Sequence, residues 1–105
     1  MRVITGTARG RVLRTLEGED VRPTTDRVKE AVFSIIQFEI EGRRVLDLFA
    51  GSGQLGIEAL SRGAASATFV DMSKDSLSAV KYNLEHTKLS DNAKVVQTDA
   101  LSFLK

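Results

Sequence analysis

Hydrophobic positions change their spacing along this chain. Val28, Ala31, Val32, Ile35 and Ile36 recur three and four residues apart, which places them on one face of a helix. Pro23, Thr24 and Thr25 supply its start signal, and Gly42 its stop. From Arg43 the pattern alternates between short apolar runs and helical spacing. Val45 to Phe49 predicts a strand, apolar on both faces except for Asp47, as in a buried central strand. Gln54 to Arg62 predicts a helix ended by Gly63. Ala67 to Val70 predicts a second strand, closed by Asp71. Ser73 can cap a helix to about Lys88, with Leu77, Val80 and Leu84 on one face. Lys94 to Thr98 predicts a third strand, followed by Asp99 and a helix from Ala100. Ahead of all this, two apolar runs around Gly6 to Gly10 predict a β-hairpin or an irregular arm.

Strand, helix, strand, helix, strand is the order of an α/β parallel sheet. Right-handed crossovers give a spatial order of 3-2-1, one half of a Rossmann-like fold. Three regions are expected: a basic arm over 1–23, a helix over 24–42, and the sheet with its helices over 43–105.

Composition narrows the classes. The chain has 105 residues, 42 % of them hydrophobic, enough for one small packed domain. Cysteine is absent, which excludes disulfides and thiolate metal sites, and the lone His86 has no partner histidine for a metal site. No membrane span or signal-peptide pattern is visible, so the expectation is a soluble cytoplasmic protein. Net charge is only +1, yet Arg2, Arg9, Arg11 and Arg14 share the first 14 residues with no acid. That arm could meet phosphates, or be a solvated edge ribbon.

The chemistry concentrates on one rim. Gly51, Gly53 and Gly56 form G-x-G-x-x-G between the first strand and the helix after it. In such sheets ligands sit beyond the carboxyl ends of the strands. Asp71 and Asp99 lie there, and Asp47 lies within the strand that feeds the turn. Each of the first two could merely cap the next helix. Three acids around a glycine turn point instead to a ligand. A pyrophosphate favours the positive N-terminus of a helix, and an acid in the preceding strand opposes it. S-adenosylmethionine carries a sulfonium and an ammonium against one carboxylate, so Asp47 suits it. Asp71 can accept from ribose hydroxyls in either ligand class, and Asp99 can accept from an adenine amino group.

The stretch "DLFAGSGQLGIEALSRGA" resembles the cofactor loop of class I S-adenosylmethionine-dependent methyltransferases. With "TGTARGRVL" and "RPTTDRVKEAVFSII" in the same order, nearly the whole chain resembles the bacterial family that methylates the N2 amino group of a guanine in small-subunit ribosomal RNA. The resemblance implies that Asp47 and the backbone of Phe49, Ala50, Gly51, Ser52 and Gly53 cradle the methionine part of the cofactor. It implies Asp71, with Met72 beside it, at the ribose, and Asp99 with Ala100 at the adenine. It further implies Arg22, Thr24, Asp26 and Arg27 at the cofactor and substrate mouth, and Arg9 and Arg11 on RNA. The same family carries an acid or amide, two prolines and an aromatic after its fourth strand, where the flipped base is held. This sequence has one proline, Pro23, and no such motif. It therefore reads as the cofactor-side portion of a methyltransferase, inactive alone, with an exposed edge on its first strand that invites self-association. The competing readings are a fragment of a nicotinamide-dependent oxidoreductase and a non-enzymatic RNA-binding module.

Overall fold

The computed structural model describes residues 2–14, 39–48 and 50–104. Three parallel strands carry the fold: β1 (Arg44–Asp47), β2 (Ser66–Asp71) and β3 (Ala93–Gln97). Their order is β1-β2-β3, with Val45 opposite Ala67 and Phe69 opposite Val95. Helix α1 (Gln54–Ser61) joins β1 to β2, and α2 (Lys74–Thr87) joins β2 to β3 through a 3₁₀ turn at Ser90–Asn92. Helix α3 (Ala100–Leu104) follows β3. The expected α/β alternation and strand order are both present.

Local signals account for the boundaries. Ser73 caps α2, its hydroxyl accepting from the Ser76 N–H at 3.2 Å. At the other end Lys88 takes a left-handed φ of 62°, which stops the helix. Ile57, Phe69, Val80 and Leu84 meet in the core between the helices and the sheet. Val3, Ala8 and Leu13 join the same core from the arm. No helix among the described residues is long and apolar enough to cross a membrane.

Two expectations change. The first strand ends at Asp47 rather than Phe49, because Leu48 already turns and Ala50 donates its N–H to the Val70 carbonyl at 3.1 Å. Asp47 is thus the last residue of the strand, not an interior one. Nor is that strand buried. It alternates between exposed and half-buried positions, and Leu46 is 44 % exposed, since β1 pairs only with β2 among the described residues. Of the two forms expected for the arm, it takes the irregular one. One antiparallel bridge, Arg2 to Val12, closes a turn-rich loop. Of the helix expected over 24–42, residues 24–38 lie outside the described residues, and Glu39 to Gly42 form turns leading into β1.

Candidate functional site

The glycine turn occupies the carboxyl rim of the sheet. Gly51 and Gly53 adopt φ of 56° and 85°, a region that side chains rarely enter. Gly56 serves a different need. A Cβ there would lie 2.4 Å from the Phe69 ring, so only glycine lets α1 close onto β2. The turn is pinned from within. Gly53 donates to the Ala50 carbonyl at 2.7 Å, and Gly51 donates to Asp71 Oδ2 at 3.0 Å.

Asp71 closes β2 and faces this turn. Its other oxygen, Oδ1, accepts from the Ser73 N–H at 2.8 Å. One carboxylate therefore ties the glycine turn to the start of α2. An ionised carboxylate offers about four acceptor positions, so two remain for a ligand's hydroxyls. Asp99 sits beyond β3. Its oxygens accept from the Ser102 N–H at 2.7 Å and the Ser102 hydroxyl at 3.0 Å. Those bonds, the backbone one first, hold its carboxyl below the ordinary 3.8. The capping role that Asp allows is therefore real at Asp99, and it leaves acceptor capacity beside it.

Leu48, Asp71, Met72, Thr98, Asp99 and Ala100 line a cavity of about 180 Å³ at this rim. Apolar walls with two carboxylates suit a flat heterocycle bearing donors. Met72 is 68 % exposed, a large apolar side chain left open at the cavity edge. At the first position of α1, Gln54 Oε1 is buried without a hydrogen-bond partner, an acceptor still unused at the turn. Asp47 is half-buried at the end of β1, in register with Phe69.

The structure thus brings Asp71, Met72, Asp99 and Ala100 around one cavity, with Ala50 to Gly53 forming the adjoining turn. Arg9 and Arg11 are exposed on the arm and do not line that cavity. Phe49, Arg22, Thr24, Asp26 and Arg27 lie outside the described residues.

Sequence reasoning missed the groups that fasten the arm. Glu58 is fully buried on α1. Its carboxylate accepts from the Ile4 N–H at 2.9 Å, the Thr5 N–H at 3.1 Å and Arg62 Nε at 2.8 Å. Ser61 accepts from the Ala8 N–H at 3.0 Å and donates to the Thr5 carbonyl at 2.6 Å. Asn83, also fully buried, accepts from the Arg14 N–H at 2.7 Å, and its amide donates to the carbonyls of Arg14 and Ser52, both at 2.9 Å. One asparagine therefore holds both the arm and the glycine turn. No local pattern announces this fastening, because the arm and turn groups these residues bind lie 31 to 69 positions away.

Comparison with known proteins gives this geometry its relatives. The family described as conserved hypothetical protein 95 matches residues 1–105. A Bacillus subtilis protein provisionally named an rRNA methyltransferase is 50 % identical over 100 residues, 95 % of this chain and 54 % of that one. Ribosomal RNA small subunit methyltransferase D of Haemophilus influenzae is 45 % identical over 106 residues, 100 % of this chain and 55 % of that one. A solved Escherichia coli structure, provisionally named a methyltransferase, matches with a TM-score of 0.89 at 46 % identity, covering 99 % of this chain and 56 % of that one. The chain spans about half the length of the curated relatives it matches.

Proposed function

The chain belongs to the conserved hypothetical protein 95 family, and on that premise we propose that it is the cofactor-binding half of an S-adenosylmethionine-dependent methyltransferase. Its substrate is small-subunit ribosomal RNA, its target the N2 amino group of a guanine, and its place of action the cytoplasm. Two relatives named for rRNA methylation support the reaction class. The N2 position rests on the sequence resemblance.

One observation carries the choice of cofactor. The Gly51 N–H is engaged by Asp71 at 3.0 Å instead of standing open to an anion. The rim is consequently rich in acceptors: Asp47, Asp71, Asp99 and the unpaired Gln54 Oε1. Acceptors suit the ammonium, sulfonium, ribose hydroxyls and adenine amine of S-adenosylmethionine, and they oppose the pyrophosphate of a dinucleotide. Asp71 would hold the ribose, Asp99 and Ala100 the adenine, and Asp47 with the turn from Phe49 to Gly53 the methionine part. The cofactor, when bound, supplies an electrophilic methyl group. The chain's own residues bind and orient it.

The residues that hold the target base belong to a proline-containing motif that these 105 residues do not contain. The chain alone is therefore expected to transfer no methyl group. A chimera joining residues 1–105 to the second half of the Haemophilus influenzae relative tests the proposal. Given methyl-labelled cofactor and unmodified small ribosomal subunits, it should label one guanine at N2, read by mass spectrometry of nuclease digests. Label at another base or atom would contradict the assignment, as would transfer by the unfused chain.

A further inference from the structure

We infer that Arg14, Tyr82 and His86 form a base-stacking platform for single-stranded RNA, outside the cofactor site and joined to the arginine arm. The inference rests on the RNA reading above and adds to it a grip on nucleotides other than the target.

The Arg14 guanidinium lies over the Tyr82 ring, 4.0 Å from its centroid. One turn along α2, the His86 ring runs nearly parallel to Tyr82, at 11° and 5.9 Å between centroids. Tyr82 is 43 % exposed, so this stack is not core packing. The backbone that carries this guanidinium is held in place from below. Both backbone groups of Arg14 are hydrogen-bonded to buried Asn83, the residue next to Tyr82. A cation stacked on a partly exposed ring, carried by a pinned backbone, offers a surface on which a base can stack.

Charge selects the partner. Arg2, Arg9, Arg11 and Arg14 are all exposed, and residues 2–14 contain no acid. Lys81 on α2 and Lys88 at its C-cap add positive charge, with Glu85 as an opposing acid near the stack. A basic ribbon beside stacked rings matches a strand whose phosphates and unpaired bases alternate. A duplex keeps its bases stacked within itself and could use only the arginines. An acidic protein patch could meet the arginines but would leave the stacked rings unused, whereas a single strand uses both.

Fluorescence anisotropy with two labelled probes tests this: a short oligouridine, and an abasic counterpart with the same length and phosphate count. The chain should bind the base-bearing strand about tenfold tighter than the abasic one. Tyr82→Ala should abolish that preference while leaving the abasic affinity unchanged, and Tyr82→Phe should restore it. Equal loss on both probes in Tyr82→Ala would mean that Tyr82 only holds the arm, and would overturn the platform. So would a preference that survives Tyr82→Ala, or one absent from the unmodified chain while both probes still bind. No binding of either probe would overturn the RNA contact itself, and with it the platform. Calorimetry with S-adenosylhomocysteine on the same preparation shows whether the cofactor reading survives that result.

Discussion

Asp71 and Asp99 each fasten a turn at the rim of the sheet, where the proposed cofactor would lie. Each follows a strand directly or closely, and an acid after an apolar run in an alternating pattern was enough to mark both from the sequence. The sequence offered helix capping for each and favoured a ligand for the set; the geometry shows the capping, and the ligand role belongs to the proposal. Asp71 accepts from Gly51 and Ser73, and Asp99 from Ser102. Asp47 was placed inside its strand rather than at the end of it, because Leu48 and Phe49 extend the apolar run in sequence while the backbone already turns at Leu48. The Asp99 cap makes a prediction about pH. Its carboxyl titrates below the ordinary 3.8, so the cap is complete above that value and is lost as pH falls through the lower folded one. The Ser102 amide resonance, followed by nuclear magnetic resonance, should shift with a midpoint below 3.8. A midpoint at the ordinary value would mean that the cap does not form in solution.

At the scale of elements, helical spacing revealed α1 and α2, and the Ser73 cap was legible as a residue type. The docking of the arm was not. Glu58 looks in sequence like a solvated position, and it is buried only because the arm crosses it. The arm comes so close that a Cβ on Gly6 would lie 1.8 Å from the Ser61 carbonyl oxygen. Burying a carboxylate is tolerable here because two backbone amides and Arg62 share its charge. Removing it takes the shared acceptor from the Ile4 and Thr5 amides and breaks its pairing with Arg62. Glu58→Ala should lower unfolding free energy by about 3–5 kcal/mol, by analogy with broken buried ion pairs. Hydrogen exchange should quicken most at Ile4 and Thr5. A variant whose stability and exchange at those amides match the unmodified chain would show that the arm does not depend on Glu58.

For the whole molecule, alternation and the right-handed crossover rule gave the strand order, since few other arrangements satisfy both. The state of β1 came instead from the resemblance, whose absent fourth strand implied an exposed edge. Its outer edge is unpaired among the described residues, and Leu46 lies partly open. Such an edge is a template for another strand. Concentration-dependent self-association is therefore expected in sedimentation velocity, weakened by Leu46→Lys, and a monomer at high concentration would rule it out. The central claim concerns the cradle at the other end of these strands. Calorimetric titration with S-adenosylhomocysteine tests it most directly, comparing the unmodified chain with Asp71→Ala of matched circular dichroism. The account predicts saturable binding that weakens by about tenfold or more on losing charged hydrogen bonds, and no binding of NAD by either. Equal binding of S-adenosylhomocysteine by both proteins would contradict it.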